Sequence, residues 1–377
     1  MKNQRAFYFA ILLIVVAAAC RTENKEGTQH TGITTQPFGM MDSTEIVQYT
    51  IRNKAGMEVR VLNYGGTITD IIVPDRNGNF ENVVLNFASL EGYRGKNNPY
   101  FGALIGRYAN RIARASFQIG EERYQLIASD NGNTLHGGMK GFDKVVWTVK
   151  VVSDSSMLLT YHSADGEEGF PGNLDAEVLL TLGHHNTLTF DYKATTDKAT
   201  PVSLTSHAYF NLSAGKSATI KKHELQILAE KITEVDATLI PTGQFMEVFE
   251  TPFNFLEMKA IGADLDRVEG GYDHNFVLIE AAGKETGLAG HAAELYDPLS
   301  GRVMRLYTSE PGLQFYSGNF LDGTITGKNG HVYVKHAGLC LEPQRFPDSP
   351  NQPHFPNTIL QPGETYWQTS VLEFSVR

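Results

Sequence analysis

Apolar and polar residues alternate along most of the chain from about residue 45, with the period of two that is typical of strands. The segments are short and end at turn-forming residues, as in the Pro-Asp-Arg-Asn-Gly sequence at 74–78. No stretch sustains a helical period, and only residues 252–265 suggest a short helix. The pattern predicts an all-β fold, a large antiparallel β sandwich, over residues 44–377.

The first 43 residues depart from this pattern. Lys2 and Arg5 precede an uncharged, mostly apolar run at 6–19, which is short for a transmembrane helix. This order predicts a signal peptide over residues 1–19 and therefore an exported protein. Residues 20–43 are polar and rich in Thr, Gly, Glu and Gln, a composition that predicts a disordered tether.

Three alanines run directly into Cys20, and this order resembles a bacterial lipoprotein signal. The resemblance implies lipidation of Cys20 and a protein anchored to a bacterial membrane, facing the periplasm or the cell exterior. Ala17 stands where that pattern more often has leucine. The alternative is ordinary signal cleavage at the same bond and release of a free secreted protein.

The composition of the chain limits the kinds of partner that it is expected to bind. With 377 residues, 41% of them hydrophobic, the chain can bury a large core. The net charge of -10 argues against binding to nucleic acid or attraction to an anionic membrane surface, so a lipid anchor would be the only membrane contact. Cys20 and Cys340 are the only cysteines, so lipidation of Cys20 leaves no intramolecular disulfide. We expect Cys340 to be a small buried hydrophobe rather than a nucleophile, because no activating motif surrounds it.

Glu342 has the setting of a catalytic base. It falls at the end of a predicted strand, on the face opposite Leu339 and Leu341, just before Pro343 interrupts the strand. A rigid strand followed by a loop holds a carboxylate in place and lets a substrate reach it. The alternative is an ordinary strand-end glutamate paired with Arg345.

The segment 202–212 also predicts a strand with a polar, uncharged face that has His207 at its middle. Ser203, Thr205, Tyr209 and Asn211 complete that face. Such a face offers the directional donors and acceptors of a sugar-binding wall, and the alternative is the solvent side of an antiparallel sheet.

Several kinds of active site find no support. The chain has no phosphate-binding loop, no dinucleotide motif, no serine-nucleophile motif and no histidines at metal-binding spacing, so we expect no metal. What remains is an acid–base pair, with His207 as general acid and Glu342 as general base, beside hydroxyl-binding side chains. The candidates for binding are His136, Asn110, Arg111, Asp273 and Gln314.

Six segments, 106–112, 135–138, 206–212, 272–276, 314–319 and 341–344, resemble the motifs of the aldose 1-epimerases (galactose mutarotases) in the same order. The resemblance implies a β-supersandwich and a reaction that interconverts the α and β anomers of free aldohexoses such as glucose and galactose. It implies no cofactor, and a monomer or dimer. Tyr108 and Pro343 depart from residues frequent in the family, valine and threonine.

The resemblance also assigns roles. It makes Glu342 the general base, His207 the general acid and His136 an assisting group at the ring oxygen. It assigns substrate binding to four residues, Asn110, Arg111, Asp273 and Gln314. The competing functions are a hexose-6-phosphate epimerase, a sugar-binding lipoprotein without turnover, and a glycosidase that uses two carboxylates.

Overall fold

The computed structural model describes residues 31–279 and 290–377. The predicted signal peptide and Cys20 lie outside the described residues. Within the described ranges, no helix has the length and apolar character needed to cross a membrane.

The largest sheet has nine antiparallel strands, and the apolar half of each alternation forms its inner face. In spatial order these strands are β11 (Thr148–Ser153), β12 (Ser156–Ser163), β13 (Leu174–Leu182), β14 (Thr187–Thr196), β27 (Tyr366–Val376), β23 (Arg302–Thr308), β22 (Gly290–Tyr296), β17 (Glu224–Ile227) and β20 (Lys259–Ala260). The last long strand, β27, lies between β14 and β23 and so ties the end of the chain into the centre of the sheet.

Two five-stranded sheets complete the main architecture. The first holds β1 (Gly32–Met41), β2 (Thr44–Arg52), β3 (Glu58–Leu62), β4 (Ile68–Pro74) and β5 (Phe80–Asn82) in that order. The second has the order β19 (Pro241–Glu247), β18 (Ala229–Val235), β21 (Asp273–Leu278), β24 (Gly312–Tyr316) and β25 (Cys340–Gln344). The predicted all-β fold is therefore confirmed.

Short two-stranded ribbons and turns connect the sheets. The ribbons pair β6 (Leu104–Ile105) with β16 (Thr205–Ser206), β7 (Arg111–Ile112) with β10 (Thr134–Leu135), β8 (Ser116–Ile119) with β9 (Glu122–Gln125), and β15 (Thr200–Pro201) with β26 (Ile359–Leu360). The α-helix is α1 (Leu90–Arg94), and 3-10 turns occupy Ala113–Ala115, Phe142–Lys144, Glu167–Gly169, Ile220–Lys222, Ile261–Ala263, Leu265–Arg267 and Ser349–Asn351. The helix expected at 252–265 is reduced to the turn at Ile261–Ala263 and the first residue of the turn at Leu265–Arg267.

One continuous apolar core lies between the sheets and stabilises the arrangement. It includes Ile71 of β4, Val178 of β13, Phe315 of β24 and Leu372 of β27. Each fully buried side chain of this kind contributes about 1.5–3 kcal/mol relative to exposure. The core therefore fixes β24, and with it the neighbouring strand β25 that carries Glu342.

The predicted tether is too long. Residues 32–41 form strand β1, which pairs with β2 and packs Phe38 against Tyr93. The residues of β1 are half-buried or exposed, because β1 is the edge strand of its sheet and the rest of the protein covers only part of one of its faces. Its threonine, glutamine and glycine residues therefore give no clear alternation, and its sequence resembles a linker.

Pro343 does not interrupt its strand. Strand β25 continues through Pro343, which lies opposite Leu313 of β24, to Gln344. Since β25 is the last strand of its sheet, a missing N–H can point away from the ladder without loss of a hydrogen bond. The expectation that Glu342 sits just before a loop was wrong, and the glutamate is held inside a strand.

Candidate active site

Three adjacent strands of one sheet carry one side of the site. Gln314 of β24 lies directly opposite Glu342 of β25 and Asn275 of β21, so the three side chains share a face. Asp273, two residues before Asn275, projects from the same face. The amide of Gln314 donates to Oδ1 of Asp273 over 2.7 Å, and the Gln344 amide donates to Oε1 of Gln314 over 3.3 Å. This chain of amides leads from Asp273 into the core.

Two short ribbons supply the opposite side. His207 follows β16, and its backbone N–H donates to the carbonyl of Ala103 over 2.9 Å. Asn110 and His136 adjoin the paired strands β7 and β10 and bond to each other twice. The His136 N–H donates to the Asn110 carbonyl over 3.0 Å, and the Asn110 N–H donates to Nδ1 of His136 over 3.1 Å.

The backbone around these residues is tightly constrained. Asn110 and His136 both have positive φ angles, 64° and 52°, which residues other than glycine rarely adopt. Gly137 has a φ of 87°, and a Cβ there would lie 1.9 Å from the carbonyl oxygen of Gly106. The glycine after His136 is therefore required for the close approach of the two motif segments.

The two sides enclose a pocket of about 500 Å³. Six of the seven predicted site residues line it: Asn110, Arg111, His136, His207, Asp273 and Glu342. Gln314 does not line this pocket, because its amide is directed at Asp273. Pro99, Tyr100, Leu135, Tyr209, Tyr316 and Phe320 form the rest of the lining and offer apolar faces to a ligand.

The centre of the pocket is a buried histidine–carboxylate pair. Nε2 of His207 lies 3.7 Å from Oε1 of Glu342, and the two side chains are only 6% and 2% exposed. Oε2 of Glu342 has no hydrogen-bond partner among the described residues. A buried carboxylate oxygen without a partner is costly, so this atom is available to a ligand hydroxyl.

Burial pushes both groups toward their neutral forms. It lowers the pKa of His207 to about 4. It also raises the pKa of Glu342 well above the ordinary value, with a further upward contribution from the charge of Asp273. Imidazolium with carboxylate and imidazole with carboxylic acid hold the same number of protons, so the pair can exchange one proton at constant total charge.

His136 presents a hydrogen-bond donor to the pocket. Because Nδ1 accepts the Asn110 N–H, the neutral ring must carry its proton on Nε2. Burial lowers the pKa of His136 well below the ordinary value, and the positive charges of Arg111 and Lys144 act in the same direction. The ring is therefore a neutral donor at physiological pH, suited to a sugar oxygen.

Arg111 is held between two carboxylates. Its Nε donates to Oδ2 of Asp130 over 2.9 Å, and its Nη1 lies 4.0 Å from Oδ2 of Asp273. Burial raises the pKa of Asp273, and the Arg111 guanidinium opposes that shift. Sequence reasoning did not single out Asp130, although an acid in the loop that precedes His136 was a usable signal.

The same three central side chains raise the question of a metal. Ligand atoms of His136, His207 and Glu342 lie within 4.8 Å of one another, the one such group among the described residues. A metal would need a free electron pair on Nε2 of His136. Because Nδ1 of His136 accepts the Asn110 N–H, Nε2 carries the ring proton and has no free pair. The donor set therefore fits hydrogen bonding to hydroxyl groups better than metal ligation.

The predicted sugar-binding wall at 202–212 is only partly correct. His207 and Tyr209 line the pocket, but Ser203 accepts the Arg345 N–H, and Asn211 donates to backbone carbonyls. Regular strand structure is limited to Thr205–Ser206 in the middle of the segment. The solvent-face alternative fails as well, since this face is buried.

The alternative interpretation of Glu342 as an ordinary strand-end glutamate paired with Arg345 is wrong. Arg345 pairs with Glu310, whose Oε2 lies 3.1 Å from its Nε. A larger cleft of about 820 Å³, lined by segments 82–86, 214–218 and 329–333, includes no carboxylate in its lining. Acid and base therefore meet in the smaller pocket around Glu342.

Comparison with known proteins places this geometry in context. The family model described as "Aldose 1-epimerase" matches residues 47–373. The chain is 46% identical to a galactose mutarotase of Homo sapiens over 321 residues, which cover 85% of this chain and 92% of that protein. It is 39% identical to an aldose 1-epimerase of Escherichia coli (strain K12) over 332 residues, 86% and 94% of the two chains.

Solved structures agree. A GalM/aldose epimerase homologue from C. elegans superposes with a TM-score of 0.80 at 30% identity, covering 87% of this chain and 98% of that one. A galactose 1-epimerase from Lactobacillus acidophilus NCFM gives 0.79 at 28% identity, covering 92% and 99%. Fold and sequence similarity thus extend over nearly the whole described domain.

Proposed function

The chain belongs to the aldose 1-epimerase family and interconverts the α and β anomers of aldoses, and we propose that Glu342 and His207 carry out the reaction. The observation that supports these roles is the 3.7 Å approach of Nε2 of His207 to Oε1 of Glu342 inside the pocket, with Oε2 of Glu342 unpartnered. A base and an acid must both reach one substrate, and these two groups line the same pocket.

The reaction consists of two proton transfers in each direction. Glu342 removes the proton of the C1 hydroxyl while His207 donates its Nε2 proton to the ring oxygen, and the C1–O5 bond breaks to give the open aldehyde. Rotation about C1–C2 exposes the other face of the carbonyl. The protons then return, His207 accepting and Glu342 donating, and the ring closes as the other anomer. No atom is gained or lost, so the step needs no cofactor.

The remaining polar groups hold the sugar during ring opening. The Nε2 proton of His136 is placed to bond the ring oxygen or a neighbouring hydroxyl. Asp273, Arg111 and Asn110 provide acceptors and donors for other hydroxyls, and Gln314 orients Asp273. Retention of the open chain in a fixed pose favours reclosure over release.

We further propose that the substrates are uncharged aldohexoses such as glucose and galactose. Arg111 is the one cationic side chain in the described lining of the pocket, and Asp130 and Asp273 already neutralise it. A sugar phosphate needs a free cation or a cluster of N–H donors, and a buried pair of carboxylates repels it. This charge balance disfavours the hexose-6-phosphate alternative.

Polarimetry tests the proposed roles. Freshly dissolved α-D-glucose and α-D-galactose should approach their final rotation faster with the enzyme, and Glu342→Gln should lower the rate by about 10²–10⁴-fold. Glu58→Gln is a matched control, since Glu58 is equally buried but lies in the first five-stranded sheet. Activity of Glu342→Gln within a few-fold of wild type would eliminate Glu342 as the base.

Mutarotation rates, taken together with a galactose-binding assay and a reducing-sugar assay, separate the other candidates. Binding of galactose without faster mutarotation would identify a sugar-binding protein without turnover. Release of a reducing sugar from a glycoside would identify a glycosidase that uses Asp273 and Glu342. Glucose 6-phosphate as the only accelerated substrate would identify the sugar-phosphate branch.

For its location, we propose an exported enzyme that is lipid-anchored through Cys20. The support is the sequence alone, a basic start, an apolar run at 6–19 and three alanines before the cysteine. Labelled palmitate should enter the full chain in a bacterial host, and Cys20→Ser should abolish the labelling and move the protein out of the membrane fraction. Membrane association of both forms, with no labelled lipid, would contradict the anchor.

A further inference from the structure

The proposed general acid has a partner on its second nitrogen. The sulfur of Cys340 lies 3.5 Å from Nδ1 of His207, and both side chains are buried. Cys340 is two residues before Glu342 on β25, so its side chain projects from the same face of the strand as the base. One short strand therefore contacts both nitrogens of the histidine, Nε2 through the carboxylate and Nδ1 through the thiol.

We propose that Cys340 is a positioning residue for the reaction. Its sulfur accepts a hydrogen bond from Nδ1–H of His207, and this bond keeps Nε2 as the nitrogen that exchanges a proton with the sugar and with Glu342. This inference rests on the proposed role of His207. When the imidazolium gives its Nε2 proton to the ring oxygen, the ring that remains carries its proton on Nδ1. The Nδ1–H to sulfur bond therefore persists in both states, and only the Nε2 proton moves.

The two histidines of the pocket are thereby held in opposite tautomers. Nδ1 of His136 accepts a backbone N–H, so its proton stays on Nε2. Nδ1 of His207 meets the Cys340 sulfur, and with the sulfur as acceptor, as proposed, the ring proton stays on Nδ1. One ring is consequently fixed as a donor, and the other can accept at Nε2 when the ring of the sugar closes.

A thiol suits this position because it is neutral. Burial raises the pKa of Cys340 well above its ordinary value, and the charges of Glu342 and Asp273 add to the shift, so the thiolate does not form at physiological pH. A carboxylate on Nδ1 would stabilise the imidazolium and weaken it as an acid. The sulfur orients the ring without that cost.

The other side chains around His207 do not provide this contact. Tyr100 and Tyr209 pack near the ring, with centroids 5.7 Å and 5.2 Å away at interplanar angles of 32° and 30°. His136 meets the ring at 84° and 5.1 Å, and Glu342 approaches Nε2. Aromatic faces fix the plane of the ring but do not select a tautomer. A backbone hydrogen bond of His207 itself also favours the protonated ring, and among the side chains it is Cys340 that contacts Nδ1.

Three variants test the inference against galactose over pH 3.5–9. Cys340→Ala removes the acceptor, and we expect kcat to fall about 3- to 10-fold with KM within twofold. Its acid limb should move to lower pH, because the imidazolium loses a partner. Cys340→Ser should restore kcat to within about threefold of wild type, since a hydroxyl also accepts a hydrogen bond. Cys340→Asp should move the acid limb up by about one pH unit or more.

A tautomer measurement completes the test. The ¹⁵N shifts of the His207 ring, assigned by comparison with His207→Asn, should report Nδ1–H in the wild type and a larger Nε2–H population in Cys340→Ala. Val178→Ala, a buried truncation in β13, controls for loss of packing and should alter neither the profile nor the shifts.

The outcomes are distinct. Cys340→Ala with wild-type kcat, wild-type acid limb and unchanged shifts, while His207→Asn is inactive, overturns the role of Cys340 and leaves the enzyme mechanism intact. Changes in Cys340→Ala that match those in Val178→Ala also overturn it. An active His207→Asn removes the proposed function of His207 itself and the inference with it.

Discussion

Nε2 of His207 and Oε1 of Glu342 face each other across 3.7 Å, too far for a strong hydrogen bond and close enough for two oxygens on the same sugar carbon to reach the two groups. The two side chains come from different parts of the fold, the segment that follows the ribbon strand β16 and the edge strand β25. Because burial lowers the pKa of His207 and raises the pKa of Glu342, the two groups can exchange one proton and titrate as a coupled pair.

This coupling predicts that substitutions of the pair are not additive. His207→Asn and Glu342→Gln should each lower kcat by about 10²–10⁴-fold, because either one interrupts the same two-proton exchange. The double variant should be scarcely slower than the slower single variant. The mutarotation rates of the wild type, the two single variants and the double variant, measured by polarimetry, form a double-mutant cycle. If the fold-loss of kcat in the double variant equals the product of the two single fold-losses, the two groups act independently.

The pH profile of kcat/KM should be bell-shaped. As the pH falls through about 4, the pair takes a second proton and the base is lost. As the pH rises through the raised pKa of Glu342, the pair loses its only proton and the acid is lost. Activity should therefore be highest between these limits. A profile in which Glu342→Gln keeps the alkaline limb would assign that limb to another group.

Asp273→Asn should change two observables in defined directions. The charge of Asp273 raises the pKa of Glu342, so its removal should move the alkaline limb to lower pH. Loss of a charged acceptor for a sugar hydroxyl should also raise KM by about 10- to 100-fold. Asp70→Asn is the control, because Asp70 is a buried aspartate of β4 outside the pocket lining. An unmoved alkaline limb would show that Asp273 does not act on Glu342.

The sequence was informative about the fold because period-two patterning survives wherever one face of a strand is covered. Strands β13 and β27 follow their alternation residue by residue. Strand β1 was missed because an edge strand with a partly covered face needs no alternation. Pro343 was misjudged because its effect depends on which side of β25 is free, a property of sheet order and not of local sequence.

The candidate site was predictable as a set of residue types but not as a set of contacts. His207 and Glu342 stood out by their positions on predicted strands. The partners that tune them, Asp130 on Arg111 and Cys340 on His207, arise from pairings distant in sequence. Gln344 is likewise informative only once β25 is seen beside β24.

Gly137→Ala should disturb His136 more than its backbone angle alone explains. Any L residue at φ 87° costs about 1–2 kcal/mol, and here the added Cβ would also lie 1.9 Å from the Gly106 oxygen. Gly132→Ala is a matched control, with a similar φ of 84° and nothing within 4 Å of the new Cβ. Thermal melts and kcat should separate the two variants, with kcat lowered only in Gly137→Ala. Equal kcat values would mean that the His136 loop adapts without loss.

The N-terminal boundary can be tested by truncation. A chain that starts at residue 31 keeps β1, whereas one that starts at residue 44 loses it and exposes β2 as an edge. Loss of the half-buried Phe38 and Met41 from the cluster around Tyr93 should cost about 2–4 kcal/mol. Urea unfolding should show the shorter chain as the less stable, with mutarotase activity retained at low temperature because β1 does not reach the pocket. Equal stability of the two chains would show that β1 adds nothing to the domain, and the predicted boundary at residue 44 would then be adequate.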